Sequence, residues 1–203
     1  MKVSIDISAD KIALYEQWQV LFLERNGVDV ELGKMLVQQD RGHHFSECLV
    51  LNGPWGFTNL RVGTLALNLL KTLNKDQLSF FTLSKPELYH YFYQKGRIGR
   101  YGAIYIGQKL NVWLRDLEEN KLISTVKKSE LSSLAEKYSG FWVDQVYEEG
   151  YFDIHFQSLH YFFNEQWCHL VVWDQTFSIS REDLLLHPVE KLEPNYMIEP
   201  NVS

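Results

Sequence analysis

The sequence predicts an α+β protein in which helices, over about residues 1–95, pack on a largely antiparallel sheet built from about residues 96–186. Apolar residues recur at three- and four-residue spacing in the first part, and short β-branched and aromatic runs dominate the second. Between them lies a glycine-rich stretch with Gly96, Gly99 and Gly102. The 203 residues read as one domain closed by an extended, loosely held tail over 187–203. A chain of this length buries roughly 70% of its unfolded surface.

The first element expected is an amphipathic helix over 9–25. Ile12, Tyr15, Trp18 and Phe22 share one face, Leu14 and Leu21 widen it, Ser8 caps the start and Gly27 stops the end. A shorter helix follows at about 29–39, with Asp29 as cap and Val28, Leu32, Met35 and Leu36 inward. Residues 59–73, "NLRVGTLALNLLKTL", form a third helix, apolar on most sides and therefore central. The fourth has a capping box, Ser84 with Glu87, and Pro86 in its first turn; it runs through "LYHYFYQK" and ends at Gly96.

Beyond that glycine, "GAIYIGQ", "KLNVWLRD" and "KLISTV" read as strands, with "LEEN" turning between the last two. A helix at 129–138 interrupts them. Strands resume in "YFDIHFQSLHYFF", "QWCHLVVW" and "TFSIS". In the first, Phe152, Ile154 and Phe156 alternate with polar neighbours, which marks a sheet wet on one face.

The amino-terminal "MKVSIDISADK" lacks the apolar run of a signal peptide, and no 18 consecutive residues are apolar. A cytoplasmic protein without membrane association is expected. Cys48 and Cys168 are too few for a disulfide framework, and both are expected to be free thiols. No cofactor is expected.

The net charge of −6 is unevenly distributed. Residues 85–115 carry Lys85, Lys95, Arg97, Arg100, Lys109 and Arg115 against Glu87 alone, six minus one, or +5. The last sixty residues carry eleven carboxylates against Arg181 and Lys191, two minus eleven, or −9. Either patch raises the local concentration of an oppositely charged partner, unless the two close on each other.

Signs of chemistry are sparse. His43, His44, Glu47 and Cys48, the pair Cys168 and His169, and the group Asp153, His155 and His160 are metal-competent residue types, but no spacing matches a zinc motif and no metal is expected. There is no Gly-x-Ser-x-Gly elbow, and no catalytic residue is assigned. Asp116, Glu119 and Lys121 have a nuclease-like local pattern, but the last two fall at a turn. "GRIGRYG" leads into a strand instead of a helix, the reverse of a nucleotide loop. A helix-turn-helix in "FLERNGVDVELGKMLVQQ" is opposed by Asp29 and Glu31 where phosphates would lie.

The stretch "HYFYQKGRIGRYGAIYIGQK" remains. Cations suit a helix carboxyl end, which accounts for some of its charge. Lys95, Arg97, Arg100 and Lys109 with Tyr93 and Tyr101 on a glycine-rich loop are also the ingredients of sequence-tolerant nucleic-acid binding, DNA or RNA. The function expected is thus non-enzymatic nucleic-acid binding through this loop. The alternatives are a protein-interaction module using the acidic, aromatic carboxyl-terminal sheet, and an enzyme whose site the sequence hides. Excess aromatics and sheet edges point to a homodimer in each case.

Overall fold

The computed structural model describes all residues except 10, 18, 25, 54–56, 76, 100, 101, 107–110, 119, 120, 135–140, 144–154, 173, 185 and 197–203. For 57, 102–106, 111, 113 and 121–125 it describes the backbone alone. The chain divides into two compact units, one of Met1–Lys85, Phe163–Trp167 and Ser180–Ser203, the other of Pro86–Phe162 and Cys168–Ile179.

The first unit is built on a six-stranded mixed sheet. In chain order its elements are β1 (Lys2–Asp6), β2 (Ile12–Glu16), β3 (Gln19–Leu23), α1 (Val28–His43), β4 (Glu47–Leu51), α2 (Phe57–Leu73) and β5 (Ser79–Leu83). β1, β2 and β3 form an antiparallel meander, whereas β1, β4 and β5 are mutually parallel. Parallel neighbours need a long crossover, and α1 and α2 lie in the connections that lead into β4 and β5. Ile5, Leu14, Val50 and Phe80 from the sheet meet Leu32 and Leu36 of α1 and Leu60, Leu67 and Leu70 of α2 in one buried core. Asn59 at the start of α2 donates to the Ala9 carbonyl at 2.6 Å. A methyl at Gly63 would lie 2.6 Å from Ile7 Cγ2, so this helix can sit only where it has no side chain there.

This overturns the predicted layout of amino-terminal helices on a carboxyl-terminal sheet: the protein is α+β, but its first elements are strands. The expected helix over 9–25 is the β2–β3 hairpin, in which Ile12 pairs with Leu23 and Glu16 with Gln19. All five β2 residues are buried, and a short apolar run covered on both faces fits a strand and a helix stripe equally. Pairing with β1 decides it. With Phe22 and Leu23 in β3, no helix-turn-helix exists here.

In the second unit α3 (Lys85–Gln94), whose first residue belongs to the first unit, precedes β6 (Gly102–Ile106), β7 (Asn111–Asp116), β8 (Lys121–Lys127), a 3₁₀ turn (Lys128–Leu134), β9 (Phe141–Val143) and β10 (Phe156–Ser158). Their sheet runs β10-β9-β6-β7-β8, antiparallel from β6 to β8 but parallel across β6, β9 and β10. Val112, Leu114, Val126, Phe141 and Val143 form its core. Next come β11 (His160–Phe163), β12 (Trp167–Val172) and β13 (Gln175–Ser180), which form a three-stranded sheet in that order. The predicted helix at 129–138 is a 3₁₀ turn as far as it is described. Among the described residues no helix is long and apolar enough to cross a membrane.

The carboxyl-terminal segment is held against the first unit as far as it is described, to residue 196, and the rest of the expected tail lies outside the described residues. β14 (His187–Val189) pairs antiparallel with β5 at the edge of the first sheet, and Leu192 is buried in that unit's core.

Candidate functional site

The surface of α1 and α2 is the strongest candidate. α2 has two stripes. Leu60, Thr64, Leu67 and Leu70 face inward, while Leu65, Leu69 and Leu73, four residues apart, stand open at 71%, 58% and 60% exposure. Together with Gly33, Leu36 and Val37 of α1 and Val62 and Ala66 of α2, these open leucines line a groove of about 180 Å³ between the helices. Gly33 lies mid-helix with nothing within 4 Å of the place a methyl would take. Glycine there costs the helix about 0.5–1 kcal/mol relative to alanine, and no neighbour among the described residues requires it. Polar groups stay at the margin: Asp29 lines the groove and Lys34 bridges Glu31 at 2.8 Å.

The sequence-predicted binding residues are only partly described. α3 ends in a Schellman turn: Gly96 is left-handed, its N–H donates to the Tyr93 carbonyl, and the Arg97 N–H donates to the Phe92 carbonyl. Lys95 and Arg97 flank that glycine and are exposed. The Lys95 ammonium lies 5.2 Å from the Tyr91 ring centre, and the half-buried Tyr93 stacks on His90. Arg100, Tyr101 and Lys109 lie outside the described residues. Two of the six cations behind the local +5 are interior: Lys85 is buried with its Nζ 4.0 Å from Asp6, and Arg115 is buried.

Several of the metal-competent groups have other roles, and Asp153 lies outside the described residues. His43 ends α1 and His44 follows it in a left-handed cap, donating its N–H to the Asp40 carbonyl. Glu47 accepts from Lys2 at 3.1 Å and Arg181 at 3.3 Å. Cys48 and Cys168 are buried and not bridged by a disulfide, and burial pushes the Cys48 thiol up to about 12. His169 contacts the Ser178 hydroxyl and stacks on Phe162; burial lowers its pKa. Among the described residues no three such groups converge. Asp6 accepts from the N–H and hydroxyl of Ser8 at 2.8 and 2.6 Å, as a buried structural carboxylate does.

No family model matches the chain, and no curated protein matches it. Among solved structures, YeaZ from Pseudomonas aeruginosa aligns over 62% of this chain and 64% of its own, at 15% identity with a TM-score of 0.40. An uncharacterized protein with similarity to peptidase YEAZ, from the same organism, aligns over 62% of each chain at the same identity and score. The chain thus spans less than two thirds of the length of the structures it matches. Likeness at this level transfers no function.

Proposed function

We propose that this chain is a non-enzymatic binding subunit that associates with a second copy of itself through the α1–α2 face. The observation that carries the reading is the open ridge of Leu65, Leu69 and Leu73, which itself lines an apolar groove on the same surface. Contiguous apolar surface of this kind marks an interaction site. A twofold axis requires one patch to be complementary to itself, and a ridge that lines a groove meets that requirement when each copy's ridge enters the other's groove. Rows four residues apart interdigitate at a crossing angle of about −50°.

Magnitudes set the expected strength. Fully burying a leucine is worth about 1.5–3 kcal/mol, so three partly exposed ones supply on the order of 4 kcal/mol. Association costs at least about that much, so Val37, Val62 and Ala66 must be covered as well. The expected dissociation constant is on the order of micromolar. Sedimentation equilibrium should show a concentration-dependent dimer that Leu69→Lys abolishes. A wild-type chain that stays monomeric to about 100 µM would sink the reading.

The second reading is weak, sequence-tolerant nucleic-acid binding through Lys95, Arg97, Arg100 and Lys109 with Tyr93 and Tyr101. The exposure of Lys95 and Arg97 beyond a capped helix end favours it. Affinity would fall with salt, each phosphate contact contributing about 0.7–0.9 to the log–log slope. Replacing Arg97 and Arg100 by alanine should remove roughly two contacts' worth of slope. Absence of any shift of DNA or RNA at low salt eliminates it.

A further inference from the structure

The segment from His187 to Tyr196 is held in the way a receptor holds a peptide. It begins as a strand added to the β5 edge, His187 opposite Thr82 and Val189 opposite Phe80. The Thr82 hydroxyl donates to the His187 carbonyl at 3.4 Å, and Lys71 Nζ donates to the Glu190 carbonyl at 2.8 Å. Two asparagines then read the backbone in pairs. Asn68 donates from Nδ2 to the Leu192 carbonyl and accepts the Leu192 N–H at Oδ1, both at 2.9 Å. Asn52 donates to the Glu193 carbonyl at 2.5 Å and accepts the Asn195 N–H at 3.1 Å.

All six of these bonds go to main-chain groups of the segment. Its side chains contribute one deep anchor, Leu192, 2% exposed, with Val189 and Tyr196 partly buried against the same core. Glu190, Lys191 and Glu193 point to solvent. The receptor side is shaped for close backbone approach: Gly53 has φ +92°, and a methyl there would overlap the Asn195 carbonyl oxygen. Main-chain bonds for affinity and one side-chain pocket for selectivity are the marks of recognition by strand addition.

We infer that the groove bounded by β5, Asn52, Gly53 and Asn68 is a peptide-binding site, filled by the chain's own segment 187–196, which leaves it and returns. The ligand class is an extended peptide with a leucine at the Leu192 place. The inference is independent of the α1–α2 dimer, since its contacts involve none of the ridge leucines.

The test keeps the full chain. A specific protease site is placed between Leu184 and His187, the folded protein is cut, and a fluorescent peptide of residues 187–203 is added. The cut protein should keep its circular dichroism and bind the peptide saturably and reversibly. Uncut protein should bind it on the order of a hundredfold more weakly, because the tethered segment competes at millimolar effective concentration. A peptide carrying Leu192→Ala should bind at least about tenfold more weakly. In the uncut chain, the Leu192 and Asn195 amides should exchange hydrogen faster than those of β1 and β4, and faster still in Asn68→Ala. The inference is overturned if cutting unfolds the protein, if the cut segment never exchanges with added peptide, or if the alanine peptide binds equally well. It also fails if the segment's amides exchange only with global unfolding.

Discussion

The two sides of α2 solve opposite problems with neighbouring residues. Asn68 and Lys71 hold the carboxyl-terminal segment with polar groups, and every contact is made to main chain. Leu65, Leu69 and Leu73, interleaved with them in sequence, are apolar and open. A polar side chain in a helix needs partners, and α2 finds them within its own molecule. An exposed leucine stripe needs burial, and α2 does not find it there. The lesson is that satisfaction, not polarity, tells which side of a helix is finished.

Breaking the finished side should give the largest effect. Leu192→Ala empties a fully enclosed site and should cost about 2–5 kcal/mol in urea unfolding. The buried Cys48 thiol offers a second readout: held protonated up to about 12, it should react with an alkylating agent only on opening, and faster in this variant. Asn68→Ala strands the Leu192 N–H and carbonyl together and should cost about 1–3 kcal/mol by the same unfolding measurement.

The open side should respond differently. Gly33→Ala should stabilise the isolated monomer by about 0.5–1 kcal/mol, since the space is free and alanine favours helix. The same methyl should weaken dimerisation if a partner ridge enters the groove. Opposite signs in thermal unfolding of dilute protein and in sedimentation would be hard to obtain any other way. The smallest stability change belongs to Leu69→Lys, within about 0.5 kcal/mol for the monomer, because the side chain is already in water.

Much of the secondary structure could be read from the sequence. α1, α2 and α3 fall where periodicity and the Ser84–Glu87 box put them, and β6, β7, β8, β12 and β13 follow their aromatic and β-branched runs. The six-stranded sheet could not. β1 and β4 are five-residue strands buried at all but their first residue, β4 and β5 lack the alternation that distinguishes a strand, and parallel pairing leaves no hairpin signal. β2 imitated a helix face for the same reason. The exposed face of α2 was also hidden: the helix is apolar on most sides, which suggests a central helix, but its outer stripe is uncovered. The excess of leucine over what one buried face requires was the available signal. The local +5 overstated the basic loop because sequence cannot show that Lys85 and Arg115 are interior.

The segment that completes the β5 edge is far from it in the chain: the Thr82–His187 bond joins residues 105 apart. During synthesis β1 to β5 leave the ribosome first, and at about 5–20 residues per second the edge of β5 waits on the order of 5–20 s for its last neighbour. Throughout that interval a strand containing Phe80 and Phe81 presents unpaired N–H and carbonyl groups, the template on which nascent chains aggregate. Wherever translation is slow or crowded, the yield of this protein should depend less on its final stability than on what shields that edge until residue 187 arrives.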